Sequence, residues 1–162
     1  MQDNNIQHQE QGLEQVKVTQ KEIRGLTLRT CNADEMNPQR AKIPAHVAYV
    51  DANVHIDYAA GARAYSVYSN YASDVNGEFD VLMGSDQVAE AKVPLQSVTI
   101  EPGSYLKFTA QGDFPAAVIE AWQSVWRYFS AEECKHTRAY TTDFEHYENA
   151  NSVSVYIALR NA

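Results

Sequence analysis

"SVTIEPGSYLKFTAQGDFPAAVIEAWQSVWRYF", Ser97 to Phe129, changes its period once, and that change decides the fold. Up to Ala110 apolar and polar residues alternate with the two-residue period of a strand. Further on, Val118, Trp122, Val125 and Phe129 fall on one helical face. Asp113 and Pro115 stand at its start, where a capping carboxylate and a preset φ favour a first turn. Two more strands are expected after the helix, Thr137 to Tyr147 and Ser152 to Leu159, joined by the turn residues Asn149, Ala150 and Asn151. The same order precedes this stretch. Val16 to Thr30 reads as a strand with Gly25 as a bulge. A helix is expected from Ala45, with Val47, Val50, Val54 and Tyr58 on one stripe, opened by Pro44 and closed near Gly61. Strands follow near 62–72 and 78–84, with Asn76-Gly77 supplying a tight hairpin turn. A β-α-β-β order thus occurs twice, in units of about seventy residues.

The expected fold class is α+β: duplicated β-α-β-β units forming a largely antiparallel sheet, with two helices on one face to bury their stripes. Where two similar halves meet, a central ligand cleft is expected. A chain of 162 residues suits one domain, and 44% hydrophobic and 10% aromatic content suits a globular one. Residues 1–15 are too polar to pack and read as a disordered tail, which leaves 16–162 as the single domain. No apolar run reaches the ~20 residues of a membrane span, and no secretory signal opens the chain, so a cytoplasmic location is expected.

A net charge of -8 repels phosphate backbones, which argues against direct nucleic-acid binding. Cys31 and Cys134 read as two free thiols. His8, His46, His55, His136 and His146 form no metal-ligand pattern, and the seven scattered glycines form no nucleotide loop, so neither metal nor cofactor is expected.

Four stretches together resemble the GyrI-like, AraC-type effector-binding domain of bacterial transcription regulators: "IEPGSYLKFTAQG", "NGEFDVLMGSD", "AVIEAWQSVWRYF", and "RAYTTDFEHYE" with "VSVYIALR". The resemblance spans Val16 to Ala162 in order. It implies a pocket between the halves, lined by aromatics around a buried glutamate, that receives lipophilic and often cationic small molecules. It also implies a stand-alone module of the kind carried on mobile gene cassettes. Ser154 stands two residues before Tyr156, where many members have a glutamate, which leaves Glu145 as the principal pocket carboxylate.

Alternation places Asp143, Glu145 and Tyr147 on one strand face, and Tyr140, Phe144 and His146 on the other. Glu145 is then either a solvated strand residue or a pocket group. A carboxylate buried without a partner is costly, and a ligand cation would supply one. At about 4 Å and an effective dielectric near 20 that attraction is on the order of 4 kcal/mol. Trp122, Trp126, Tyr49, Tyr68, Tyr147 and Tyr156 are the expected ligand-binding aromatics, since ring faces attract cations with few directional demands. Tyr65 and Tyr71 share one face of their strand and Tyr68 takes the other, so at most one set points inward, and Tyr68 is preferred. Asp143, His146 and Glu148 are expected to serve solubility, turns or local hydrogen bonds. Three functions follow in order of preference: binding of lipophilic cations, hydrolysis of small reactive molecules by Glu145 with Tyr147 or Tyr156, and interaction with a partner protein or a second copy.

Overall fold

The computed structural model describes residues 13–160. Ten strands and three helices follow one another along the described residues. Strands β1 (Leu13–Val18) and β2 (Lys21–Cys31) lead to α1 (Asn32–Glu35), α2 (Ile43–Asn53) and β3 (Val54–His55). Then come β4 (Ala64–Ser69), β5 (Glu78–Ser85), β6 (Glu90–Ala91), β7 (Gln96–Ile100) and β8 (Gly103–Gln111). Helix α3 (Ala116–Ser130) precedes β9 (Asp143–Asn149) and β10 (Ser152–Ala158). Eight strands form one antiparallel sheet in the order β1-β8-β10-β9-β4-β5-β2-β7.

Each strand read as single at the start of a unit is one bent ribbon. β1 bends into β2 at Thr19-Gln20, and β7 bends into β8 at Glu101-Pro102, where proline removes a ladder donor. The two bends face each other: Val18 pairs with Gly103, and Lys21 with Ile100. The ends of the sheet are therefore joined through these two ribbons. Each unit lends its first strand to the other, and the halves abut at the β4–β9 ladder. The repeat is β1β2-α2-β4β5 and β7β8-α3-β9β10.

Local departures from the expected pattern have physical causes. Leu13 to Gln15, read as tail, belong to β1, where pairing with Phe108, Lys107 and Leu106 satisfies their backbone; residues 1–12 of that tail lie outside the described residues. Gly25 is no bulge. It pairs in register with Gly84, and a Cβ there would stand 2.1 Å from the Met83 carbonyl oxygen. Helix α2 stops at Asn53 because the chain leaves it to pair Val54 and His55 with Ala91 and Glu90, so Tyr58 falls in a separate 3-10 turn capped by Asp57. Asn76-Gly77 sits within a longer loop rather than a two-residue hairpin, with Ala72 N–H closing on the Glu78 carbonyl. The strand expected from Thr137 begins only at Asp143; Arg138 makes one isolated bridge to Leu159, and Tyr140 takes a φ of 55°.

Both long helices lie over one face of the sheet. Helix α3 buries Ala117, Ala121 and Val125 against Leu106, Phe108, Val153, Val155 and Ile157. Helix α2 buries only Val50, and its start is held by Glu35 of α1, whose carboxylate accepts from the Lys42 and Ile43 amides. Cys31 and Cys134 are free thiols. No described helix is long and apolar enough to cross a membrane.

Candidate functional site

Between the helices and the sheet lies a cavity of about 1250 Å³ at the seam of the two halves. Apolar groups from α2, β5 and α3 make most of its wall, among them Val47, Val50, Phe79, Met83 and Val118. Glu145 lies in this wall and is 3% exposed. Its place follows from register: on β9 it faces Ser66 of β4 and Val155 of β10, whose side chains share the helix-covered face.

Three donors converge on the carboxylate, and all are neutral. Tyr68 OH and Trp122 Nε1 each donate to Oε2 at 2.7 Å, and Tyr147 OH donates to Oε1 at 2.5 Å. Tyr68 comes from the first half, Trp122 and Tyr147 from the second, so both halves are needed to hold the group. Burial, reinforced by the Glu145 charge, drives the Tyr68 and Tyr147 phenols well above their ordinary range, which keeps them as donors.

A second buried carboxylate stands two residues away. Asp143 is fully buried and accepts from Arg138 Nη2 at 2.8 Å, Tyr71 OH at 2.5 Å and the Ala158 amide at 2.9 Å. Of the roles expected for it, solubility, turn formation or local hydrogen bonds, it fills only the last, with Arg138 as its near partner in the chain. Burial is the largest single influence on the Arg138 guanidinium and acts to lower it, yet the Asp143 charge and hydrogen bond together with Tyr71 and Tyr140 outweigh it and the net shift is upward. Tyr71 lines the cavity with Tyr68, because β4 ends at Ser69 and Asn70 takes a φ of 53°, which returns Tyr71 to the same side. Strand alternation therefore misplaced it, and the irregular segment before β9 hid Arg138. The signal for the ion pair was a lone arginine five residues before an aspartate on the glutamate's own face.

Of the six aromatics read from the sequence, Tyr68, Trp122, Trp126 and Tyr147 line the cavity. Trp126 makes no bond to Glu145; its ring lies 6.2 Å from that of Trp122. Tyr49 and Tyr156 are corrections. Tyr49 is 50% exposed on the outer side of α2. Tyr156 pairs with Phe144 rather than Glu145, so its ring stacks on Phe144 at 4.4 Å on the far face of the sheet, under Lys107. The parity of β10 carried this information: Val155 and Ile157 face α3, so Tyr156 cannot. On that far face His146 stacks on Tyr65 at 4.8 Å, and burial lowers its pKa. Glu148 there accepts from Ser154 Oγ. Among the described residues no group of His, Cys, Asp and Glu side chains is arranged to hold a metal.

A closed, duplicated α+β scaffold with an aromatic cavity and a carboxylate at its seam defines a small-molecule effector-binding domain. The chain belongs to the Cass2 family of integron-associated effector-binding proteins, whose model matches residues 16–160. It is 38% identical to an integron cassette protein from the mobile metagenome of Vibrio cholerae, with a TM-score of 0.84 over 93% of this chain and 97% of that one. It is 28% identical over 153 residues to YobU of Bacillus subtilis (strain 168), a protein named as a transcriptional regulator, covering 86% of this chain and 92% of that protein. SAV2435, solved bound to tetraphenylphosphonium, shares the fold at 13% identity and a TM-score of 0.58, over 92% of this chain and 94% of that one.

Proposed function

We propose that this protein binds lipophilic organic cations in the seam cavity, with Glu145 as counter-charge and Tyr68, Trp122, Trp126 and Tyr147 as the aromatic wall. One observation carries the reading: a carboxylate 3% exposed in an apolar cavity, held by three neutral donors and no cation. Neutral donors hold the carboxylate in place without cancelling its charge, so a guest cation finds the attraction unspent. The surrounding ring faces add ~0.5 to ~2 kcal/mol each. Such a module senses and signals, and the reader of its liganded state would be a separate partner protein or a second copy.

The test is tryptophan fluorescence, because Trp122 and Trp126 line the cavity. Methyltriphenylphosphonium is compared with the neutral hydrocarbon in which carbon replaces phosphorus. The cation should bind about tenfold to a hundredfold more tightly, and Glu145→Gln should erase that preference while leaving the neutral probe unchanged. Equal affinities for both probes, unaffected by the substitution, contradict the reading. A hydrolase is the second reading, favoured by the Tyr147 hydroxyl poised on Glu145; turnover of a candidate substrate that vanishes in Glu145→Gln would establish it.

A further inference from the structure

Arg138 lines the same cavity, and its side chain is 7% exposed. A guanidinium carries five N–H donors in a fixed plane. Here it spends one on Asp143, through Nη2. Among the described residues, Arg138 Nε is the buried side-chain polar atom without a hydrogen-bond partner. Asp143 Oδ2 takes Arg138 Nη2 and Tyr71, and Oδ1 takes the Ala158 amide, so the aspartate does not engage Nε. Nor do the rings around the guanidinium, Tyr140 at 4.6 Å and Phe129 at 5.9 Å, supply an acceptor in its plane. Buried donors are rarely left unspent, and the guanidinium that carries this one belongs to a cavity-lining residue with a single hydrogen bond made.

The geometry points to Arg138 as a specificity-determining residue that donates a hydrogen bond to an uncharged oxygen acceptor of the ligand. The inference rests on the reading of the cavity as a ligand site and adds the ligand's second feature. Asp143 balances the guanidinium charge, so a carbonyl, ester or ether oxygen is accepted while a full anion meets the aspartate field. The same balance spares a cation at Glu145 any net repulsion. The preferred ligand class is an aromatic cation bearing a carbonyl-type oxygen away from its charge.

Two probe pairs test this by fluorescence titration. In the first, triphenyl(4-acetylphenyl)phosphonium is compared with its 4-isopropenyl counterpart, which has the same shape without the acceptor. The second pair is neutral, 4-acetylbiphenyl and 4-isopropenylbiphenyl, and does not depend on Glu145. The acetyl member of each pair should bind about tenfold more tightly to the native protein, the usual yield of a charge-assisted bond. Arg138→Lys keeps a cation beside Asp143 but loses the planar fork, so the acetyl preference should collapse while affinity for the isopropenyl probes holds. A neutral acetyl preference without any cation preference would retain the Arg138 subsite and discard the cation reading. Equal or absent binding of both neutral probes to the native protein, or a full acetyl preference in Arg138→Lys, overturns the inference.

Discussion

Asp143 and Glu145 share one face of β9, yet the protein settles the cost of burying each in a different way. Asp143 has a cation, a phenol and an amide; Glu145 has two phenols and an indole. The first arrangement is complete without a ligand, and the second is completed electrostatically by one. Six donors thus meet two carboxylates in a small volume, and three are tyrosines whose phenols sit well above their ordinary range, chiefly through burial and then through the adjacent carboxylate. A group raised in the folded state contributes stability that is complete below its unfolded value, about 10 for tyrosine, and lost as pH rises past it. Tyr68, Tyr71 and Tyr147 should therefore resist ionisation until the fold opens. Followed by tyrosinate absorbance, the native protein should titrate fewer than its ten tyrosines, and the remainder should ionise together with loss of near-ultraviolet circular dichroism. Ionisation of all ten with the fold intact would refute the donor assignment.

At the scale of elements the two halves are alike in order and unlike in packing. Helix α3 places Ala117, Ala121 and Val125 fully inside, whereas α2 buries Val50 alone and leaves Val47 and Tyr49 exposed. Local opening follows buried apolar contact, so α2 belongs to the less stable part of the molecule. Amide exchange should be faster across 43–53 than across 116–130, and a bound cavity ligand should slow α2 most, because Val47 and Val50 line the cavity. Equal protection of the two helices, with or without ligand, would contradict this. The difference also explains what the sequence disclosed. The α3 stripe was legible because Val118, Trp122, Val125 and Phe129 keep the helical period throughout, although Val125 alone of the four is fully buried and Val118 and Trp122 face the cavity. The α2 stripe ran on too far, since Val54 and Tyr58 keep helical spacing while the backbone turns aside to pair with β6. Strand parity put Glu145 and Tyr147 on one face, as the structure has them, without saying that this face turns inward, and applied to β10 it would have excluded Tyr156. It failed at Tyr71 and Arg138, which lie where the backbone leaves the regular period, at Asn70 and between α3 and β9. No periodic pattern survives there to be read.

For the molecule as a whole, the charge of -8 is not spread without regard to the cavity. Asp51 and Asp74 are exposed residues in its lining, against Arg63 as the opposing charge at the surface. Carboxylates around an apolar mouth concentrate cations before any contact with Glu145, which speeds entry more than it strengthens the final complex. The screening length shrinks from ~30 Å at 0.01 M salt to ~8 Å at 0.15 M, so this attraction should fade over that range while the buried contact persists. Stopped-flow association of methyltriphenylphosphonium should slow several-fold across it, with little change in dissociation, and the neutral hydrocarbon probe should show no such slope. Replacing Asp51 and Asp74 together by asparagine should flatten the salt dependence and leave the dissociation rate in place, whereas Glu145→Gln should raise dissociation and keep most of the slope. If the double substitution changes dissociation alone, the rim carboxylates touch the bound guest rather than steer it.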